Sequence, residues 1–576
     1  MMSFHLPLEQ TEVLIIGAGP VGLTAALELT RRGISYRLLD QADGPTSFSR
    51  ALGIHPRTLE HFEQMGLADQ VLSRGVFNYA TNVYMGGERH LRLLTAAIEG
   101  ESLIDGMFFI SQVDIEAILR TQLASLGVTI EYRSALHDFQ QDEQGVTATI
   151  HPSTGDPFHI RANWLIGCDG AHSTVRKQLR LPFEGSQEET WQVADAYLDW
   201  GLNADVLETH VFLANEGGVV AFPYPERGRW RLLDTSPDPT TPIEEIQTLK
   251  ERLLNRIATA SGIVPTIQEL VWPSRFTIQQ RKVPHMRVGR CFVAGDAAHC
   301  HSPAGGQGMN TGIQDAYNLA WKLALVCQDR AKTTILDSYS EEREPFAQGV
   351  LRGTLLLSQV IGLQDHTAIR LRNQVIQMVA SRGGFQALPD AVVRQLSLAL
   401  FQLNVAYSAS SLIEEHWTPS FSMHTQQRDW TAGTRVPNVS LGGSSLGTGP
   451  RLFQVLKEGQ GKQVLLIFIG PEEEQTILDH LCDVGHKVQQ DYGESIVVQM
   501  VVPHPAIQKR LSWEGPVLLD GRNPLSSLRG RCQIERNGLY LLRPDGIVGY
   551  RSQPVQPEHF FAYLQKHFLA SDDPHH

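Results

Sequence analysis

The sequence predicts an α/β fold in which a parallel sheet carries the functional site. Three short apolar runs, at residues 12–16, 164–168 and 291–294, have the composition of buried parallel strands. A glycine-containing turn follows each run, and the second and third turns hold an acid beside a glycine, at 169–170 and 295–296. Repeated strand, turn and helix patterns are typical of a parallel sheet covered by helices.

The composition narrows the class of protein. The 576 residues carry a formal net charge of −13 at pH 7, with 42% hydrophobic and 19% charged residues, which indicates a globular protein of several domains. The acidic balance, without a block of Lys and Arg, argues against nucleic-acid binding. The six cysteines have neither a C-x-x-C nor a zinc spacing, so we expect reduced thiols and no metal site. No signal-peptide pattern and no long apolar run is visible, so we expect a cytoplasmic protein without a membrane anchor.

The first glycine-rich turn has the pattern of a dinucleotide site. GAGPVG at 17–22 fits G-x-G-x-x-G, lies between a strand and a helix, and precedes a second strand that ends at Asp40. In this pattern Gly17 makes the tight turn, Gly19 lets the backbone approach a pyrophosphate, and Gly22 allows close helix packing. Asp40 has the position that binds ribose hydroxyls. An ordinary βαβ turn is the alternative, but the combination favours a Rossmann-type domain.

Two later strands also end in a carboxylate. Asp169 follows the run at 164–168, and Asp296 follows the run at 291–294, where it could accept hydrogen bonds from ribitol or ribose hydroxyls. The glycine-rich turn at 303–310 opens a helix, and backbone N–H groups in such a turn suit an anionic ligand. A surface loop with a helix cap is the alternative for this turn alone. Two strand-end acids beside a dinucleotide fingerprint are hard to explain as coincidence.

The middle of the chain has a different character. Residues 79–94 are predicted to form a hairpin that turns at Gly86-Gly87. The stretch 185–280 is rich in Trp, Tyr, Phe and Pro, and we interpret it as a sheet whose aromatic side chains cover an apolar pocket. Ordinary sheet core is the alternative for most of these aromatics. The strands of this stretch are predicted at 209–213, 218–222 and 229–233, with a helix at 243–258.

The remainder is predicted to contain helices and then a small α/β domain. A short strand is expected at 128–132, and amphipathic helices at 355–378 and 391–406. A loop rich in Ser, Thr, Gly and Pro at 418–450 indicates a domain boundary. Beyond the loop, strands are predicted at 464–469, 496–502, 538–542 and 547–550, and helices at 473–482 and 558–568.

Three motifs in one order, GAGPVG, CDGAHSTVR at 168–176 and GDAAHCHSPAGGQGMNTGIQDA at 295–316, resemble those of the FAD-dependent aromatic hydroxylases. These are single-component flavoprotein monooxygenases with the para-hydroxybenzoate hydroxylase fold. The tail, with RPDG at 543–546, resembles the thioredoxin-like C-terminal domain of the phenol and polyketide hydroxylases. It has no Cys pair, which excludes thioredoxin-type redox chemistry.

The resemblance implies a fold class and domain limits. The expected fold is a Rossmann-type FAD-binding domain with an inserted β-sheet substrate domain and a C-terminal thioredoxin-like α/β domain. The implied limits are 1–185 for the first part of the FAD-binding domain, 186–280 for the substrate sheet with the hairpin near 79–94, 281–420 for the second FAD-binding part with helices, and 421–576 for the thioredoxin-like domain.

The same resemblance implies the site residues. Pro303 and Gly305 are expected beside the isoalloxazine ring, in the environment of the flavin hydroperoxide. The family often has Glu-Arg where this chain has Asp40-Gln41, so one adenosine contact differs. The expected cofactor-binding residues are Gly17, Gly19, Pro20, Gly22, Asp40, Gln41, Arg50, Gln112, Asp169, Asp296, Gly308, Met309 and Asn310.

The implied reaction is FAD- and NAD(P)H-dependent hydroxylation, with O2, of a phenolic or polycyclic aromatic substrate through a flavin C4a-hydroperoxide. NADPH or NADH would be the reductant, and a monomer or homodimer is expected. His55, His299 and His301 are candidate bases by residue type only, and we prefer a structural role for each. The alternatives are epoxidation, Baeyer–Villiger oxidation or drug inactivation by a related flavin monooxygenase, or a non-catalytic FAD-binding protein.

Overall fold

The structure of the protein is a computed structural model, and it describes residues 8–49, 51–94, 98, 101–200, 207–215, 217–235, 245–303, 305–363, 365–382, 389–418, 430–439, 441, 451–520 and 527–571. In chain order the strands β1 to β24 are Leu8–Ile16, Tyr36–Leu39, Leu52–Ile54, Val76–Phe77, Ala80–Met85, Glu88–Leu94, Phe108–Ser111, Ser134–Gln141, Val146–Pro152, Phe158–Gly167, Glu184–Asp199, Thr209–Ala214, Gly217–Pro223, Arg229–Asp234, Thr266–Lys282, Arg287–Val288, Cys291–Val293, His299–Cys300, Glu414–Trp417, Gln463–Phe468, Ile496–Val502, Val517–Leu519, Gly538–Leu542 and Val548–Gln553. The α-helices α1 to α15 are Pro20–Arg31, Pro56–Met65, Ala68–Leu72, Gln112–Ser125, Thr174–Gln178, Ile246–Ser261, Gly308–Cys327, Asp337–Ile361, His366–Ser381, Asp390–Leu400, Leu452–Glu458, Gln475–Tyr492, Pro505–Gln508, Leu528–Arg531 and Pro557–His567.

The first sheet is the parallel sheet that the sequence predicts. Its order is β16-β17-β10-β1-β2, and the antiparallel strands β9 and β8 extend it from β10. The strands β17, β10, β1 and β2 run parallel, so that their carboxyl ends meet at one edge. The second half of the central strand β1, residues 13–16, is apolar and buried, and α1 begins after a three-residue turn with a proline at its first position. This edge carries the candidate site.

The second sheet has eight strands in the order β18-β15-β11-β14-β13-β12-β5-β6. The hairpin of β5 and β6 joins it through a parallel pairing of β5 with β12. Its longest strand pairing is the antiparallel one between β11 and β15, which contains three register shifts. One face packs on α6 through a core that includes Trp200, Trp230 and Phe212. The sequence did not predict β11 or β15 at this length.

The third sheet lies in the C-terminal part, with the order β19-β24-β23-β20-β21-β22. Strands β20, β21 and β22 are parallel, whereas β23 pairs antiparallel with β20 and β24. Every residue of β20 is buried, because helices cover both faces of this sheet. The α/β character of this part agrees with the expected fold class. Its thioredoxin-like assignment and the domain limits stay predictions.

Three elements of the sequence-based prediction are wrong. Residues 128–132 form no strand; a single bridge joins Leu39 to Glu131, and Arg133 then turns with a φ of 57°. The helix predicted at 355–378 is two helices, because α8 ends before Gly362 and the side chain of Asp365 caps α9. The helix predicted at 391–406 ends at Leu400, since Gln402 has a left-handed φ of 58°.

Among the described residues, no single helix is long and apolar enough to cross a membrane, although one bent pair, Thr333–Ile361 with His366–Ser381, meets the requirements of length and composition.

Candidate functional site

The glycine-rich turn after β1 is held in the conformation that the motif requires. Gly17 has a φ of 103°, and a Cβ there would lie 2.4 Å from the carbonyl oxygen of Cys168. A Cβ on Gly22 would lie 1.8 Å from the carbonyl oxygen of Gly17, so α1 can approach the turn only with glycine at this position. A Cβ on Gly19, in contrast, would meet no atom within 4 Å. The turn is therefore closely packed at Gly17 and Gly22 and has open space beside Gly19.

Asp40 ties the end of β2 to this turn. One carboxylate oxygen accepts the N–H of Ala18 at 2.7 Å, and the other accepts the N–H of Ala42 at 2.8 Å. Each oxygen keeps a further lone pair for a ligand hydroxyl. The carboxylate is fixed by the backbone on both sides, so that its direction is set before any ligand binds.

Asp169 has a similar role at the end of β10. Its carboxylate accepts the hydroxyl of Ser173 at 2.5 Å and the N–H groups of Thr174 and Val175 at 2.7 and 3.1 Å. Burial raises the pKa of Asp169, and these hydrogen bonds oppose the rise. The carboxylate thus caps the short helix α5 while it borders the cavity described below.

Two acids follow β17: Asp296, which faces outward, and Asp315 in α7, which is buried. Asp296 is the exposed residue within a buried run from 291 to 300. Asp315, in α7, is fully buried and accepts the N–H of Gly295 at 3.1 Å, Nε2 of His299 at 2.6 Å and Nε of Arg343 at 2.7 Å. Burial alone would raise the pKa of Asp315, but the charges beside it lower the pKa. His299 therefore has the structural role that the sequence analysis preferred.

His55 holds the glycine-rich turn that precedes α7. Its Nε2 donates to the carbonyl oxygen of Gly305 at 2.9 Å, and burial lowers the pKa of His55 to about 4. The side chain of Asn310 accepts the N–H of His55 at 2.9 Å and donates to the carbonyl oxygens of Gly53 and Gly306 at 3.2 and 2.8 Å. His55 is therefore neutral at pH 7 and positions the turn.

A cavity of about 930 Å³ joins these parts of the molecule. It extends from the glycine-rich turn after β1, past the strand-end acids, to the start of α7 and to one face of the second sheet. Most of the predicted site residues line it, namely Gly17, Gly19, Pro20, Asp40, Gln41, Gln112, Asp169, Asp296, Pro303, Gly305, Gly308 and Met309.

The other predicted residues have different positions. Gly22 lies behind the turn, where it allows the close packing of α1. Asn310 is fully buried and supports the turn through hydrogen bonds. Arg50 lies outside the described residues. Gln112 lines the cavity, but its side-chain N–H group donates to Glu116 at 2.8 Å, and burial raises the pKa of Glu116.

The sequence analysis did not predict which residues of the second sheet line the cavity. The walls on this side come from β11, β13, β14 and β15, mostly from alternate residues, because successive side chains of a strand point to opposite faces. Arg231 and Arg275 are the charged members; Arg231 pairs with Asp195 at 2.9 Å and donates to the carbonyl oxygen of Ser49 at 2.8 Å. The period-two pattern of β14 and β15 could have revealed Arg231, Leu233, Ser274 and Phe276. The residues that line the sheet side of the cavity are Val193, Phe222, Arg231, Leu233, Trp272, Ser274, Arg275 and Phe276.

These features suit a dinucleotide that carries its reactive ring to an apolar chamber. The open face of the turn leaves room for a diphosphate, and the start of the 20-residue helix α7 offers unpaired backbone N–H groups to an anionic ring. Fold and site together define a dinucleotide-binding protein with an adjoining apolar chamber.

Comparison with known proteins agrees with this class. A family described as FAD binding domain matches residues 10–354. The 6-methylpretetramide 4-monooxygenase of Streptomyces rimosus is 34% identical over 574 residues, which cover 98% of this chain and 94% of that protein. The solved structure of OxyS anhydrotetracycline hydroxylase from Streptomyces rimosus is 26% identical, with a TM-score of 0.68 and coverage of 97% and 99% of the two chains. The flavin-dependent monooxygenase PieE, in complex with FAD and substrate, shares the fold with a TM-score of 0.73 at 22% identity, covering 97% and 99%.

The chain belongs to the FAD binding domain family. It is an FAD-dependent aromatic monooxygenase, as the three sequence motifs predicted. A monooxygenase of this kind uses O2 and a reduced nicotinamide, and FAD carries the redox chemistry.

Proposed function

We propose that the protein hydroxylates a phenolic substrate with several fused rings, of the polyketide type. The observation that carries this proposal is the continuity of the cavity from the glycine-rich turn to the apolar face of the second sheet. A space of about 930 Å³ is at the large end for small-molecule sites, which suits a dinucleotide together with a planar substrate. The names of the relatives, which act on 6-methylpretetramide and anhydrotetracycline, support the same substrate class.

We further propose how the chain holds FAD. Gly17, Gly19 and Pro20 form the diphosphate cradle, and the fixed carboxylate of Asp40 binds the adenosine ribose. Asp169 and Asp296 border the middle of the cofactor. The open space in front of Gly19 and the shared cavity support this arrangement.

The turn from Pro303 to α7 is proposed to lie against the isoalloxazine ring. FAD, when bound, supplies the electron transfer and the activation of O2. The chain supplies position and polarity. The N–H of Gly306 is already used by the carbonyl oxygen of Pro303 at 3.0 Å. The donors proposed for negative charge on the ring are the N–H groups at the start of α7, those of Gly308 and Met309, which line the cavity.

The sheet face is proposed to orient the aromatic substrate and to exclude water. Phe222, Leu233 and Phe276 give this end of the cavity its apolar wall. A dry pocket strengthens polar interactions at the reacting centre and limits side reactions. The phenol is proposed to enter with its own hydroxyl as the activating group. His55 and His299 are both used for structure, and burial lowers the pKa of His301, which lines the cavity, well below its usual value.

The test uses the purified protein. Its absorption spectrum is recorded for bound flavin, and NADPH and NADH oxidation is followed with phenols of one to four rings, with product masses. Ligand-stimulated oxidation and gain of one oxygen atom on a fused-ring phenol are expected. Bound flavin without turnover of any phenol would overturn the proposal and favour drug modification or a non-catalytic protein. Product masses from ketones and alkenes would reveal Baeyer–Villiger oxidation or epoxidation.

A further inference from the structure

Two aromatic side chains from different parts of the fold meet at the edge of the cavity. Phe48 lies in the loop after β2, and Trp272 lies in β15 of the second sheet. Their rings stack with centroids 5.5 Å apart and an interplanar angle of 17°. Both residues line the cavity, and Phe48 is 53% exposed, so the stack lies where the cavity opens to solvent.

The backbone at Trp272 is strained. Its φ of 48° is in the left-handed region, where a bulky aromatic residue is a true outlier. The cause is a bulge: Val193 pairs with Ser274 and Asp195 pairs with Val271, so that two residues of β15 stand opposite one residue of β11. A bulge of this kind re-aims a side chain, and the strain persists only where the surroundings enforce it.

A buried ion pair lies beside the bulge. Asp195, at the edge of the bulge, accepts Nε of Arg231 at 2.9 Å and the hydroxyl of Tyr224 at 2.8 Å. Arg231 in turn donates to the carbonyl oxygen of Ser49, next to Phe48, at 2.8 Å. The same network therefore joins the loop that carries Phe48 to β11, the strand with which β15 pairs at the bulge.

Trp272 lines the cavity together with Ser274 and Phe276, because the bulge turns its side chain to the face that they share. The indole thus continues the apolar wall of the substrate end out to the opening. A stack with centroids 5.5 Å apart has no room for a third ring, since two ring separations need about 7 Å. A planar ligand can reach the indole face only by displacing Phe48.

We infer that Trp272 is a specificity-determining residue whose indole face binds an outer ring of a planar fused-ring substrate, and that Phe48 covers this face until the ligand displaces it. The inference rests on the proposed function, because it requires a substrate with more than one aromatic ring. A one-ring phenol held beside the flavin would not extend to Trp272. The subsite therefore discriminates by ring count, since aromatic stacking adds to the area that is buried.

The test is a binding titration on the oxidised, FAD-loaded enzyme, followed by the change in flavin absorption. The probes are phenol, 1-naphthol and 1-hydroxyanthraquinone, with one, two and three fused rings. Trp272→Ala is expected to weaken the three-ring probe about tenfold, while the affinity for phenol changes less than about twofold. Trp272→Phe, which keeps a ring, is expected to retain most of the affinity.

Phe48→Ala provides a second test, in which the affinity for the three-ring probe should increase rather than decrease. Because it removes the competitor for the indole face, the three-ring probe is expected to bind about threefold more tightly. Phe48 is half exposed, so this variant should fold normally. Trp272→Gly removes the ring and relieves the strained φ, which guards against misfolding of the alanine variant.

The outcomes separate this inference from the proposed function. Tighter binding of the three-ring probe by the wild-type enzyme, with no loss in Trp272→Ala and Trp272→Gly, would overturn the inference and leave the proposed function intact. Equal loss for phenol and for the three-ring probe would also overturn it. A wild-type enzyme that binds none of the probes would overturn both.

Discussion

The two η nitrogens of Arg543 donate to the two carboxylate oxygens of Glu342 at 2.6 and 2.8 Å. Both side chains are fully buried. Arg543 begins the turn between β23 and β24, and Glu342 lies in α8, so this bidentate pair joins the C-terminal sheet to the helices behind the cavity. Asp545 accepts two further hydrogen bonds from Arg543, at 3.1 and 2.6 Å, and Lys322 donates to Glu342 at 2.8 Å. The C-terminal part is therefore fixed to the FAD-binding part by buried charge.

Arg543→Met should destabilise the protein strongly. It leaves the carboxylates of Glu342 and Asp545 buried without their main partner, and loss of one member of a buried ion pair costs about 3–5 kcal/mol. The free energy of unfolding, from urea titration of the FAD-loaded protein, is the measurement. Arg330→Met is the matched control, because the pair of Arg330 with Glu494 is exposed and should contribute no more than about 1 kcal/mol. Equal effects of the two variants would contradict the structural role of Arg543.

Alanine substitutions at two glycines of the first motif should have separate effects, one on FAD affinity and the other on protein stability. Gly19→Ala places a methyl group in open space on the cavity side, so the melting temperature of the apoprotein should stay unchanged while the dissociation constant of FAD rises about tenfold. Gly22→Ala places a methyl group 1.8 Å from the carbonyl oxygen of Gly17, and the forced shift should destabilise the protein by about 1–3 kcal/mol. FAD release followed by fluorescence, together with thermal unfolding, measures both. An unchanged FAD affinity in Gly19→Ala would place the diphosphate elsewhere.

Local features of the site were predictable from the sequence. The left-handed φ at Gly17, the tight contact behind Gly22 and the carboxylate of Asp40 beside the turn all follow from residues close to one another along the chain. A motif of this kind states which residue types the backbone conformation needs, and it can be recognised without knowledge of the fold.

Features that depend on distant pairing were not predictable. The bulge at Trp272 exists because β15 pairs with β11, and the bond between Arg231 and Ser49 joins residues 182 positions apart. The pair of Arg543 with Glu342 spans 201 positions. The end of the helix at Leu400 was not predicted either, because Gln402 adopts a left-handed φ that is uncommon for glutamine. No local pattern encodes which charged side chains will meet in a core.

His55 should make stability depend on pH between about 6.5 and 4. Burial lowers its pKa from 6.5 to about 4, so the folded protein keeps the imidazole neutral while the unfolded chain takes up a proton below 6.5. The stabilisation is present above pH 6.5 and is lost as the pH falls toward 4, by about 3 kcal/mol in total. His55→Gln keeps an N–H donor for Gly305 but cannot titrate. The difference in unfolding free energy between wild type and variant should therefore shrink over this range.

The control for His55 is His137→Gln, because His137 is exposed on β8. This variant removes an imidazole from the surface and so controls for the replacement of a histidine by glutamine as such. Parallel curves for wild type and His55→Gln from pH 6.5 to 4 would show that the imidazole of His55 is not held neutral by the fold.

Asp296→Ala should weaken FAD binding without unfolding the protein. Asp296 is the outward-facing acid of an otherwise buried run, and it lines the cavity beside the end of β17. Hydrogen bonds to a charged group contribute about 1.5–3 kcal/mol, so loss of the carboxylate should raise the FAD dissociation constant at least about tenfold. Asp156→Ala, at an exposed turn outside the cavity, is the matched control and should retain wild-type flavin content.

Flavin content and affinity are measured on purified protein, with the melting temperature of the apoprotein as a check of folding. If Asp296→Ala keeps its flavin as tightly as Asp156→Ala, the carboxylate of Asp296 does not bind the cofactor, and the acids that remain to border it are Asp40 and Asp169.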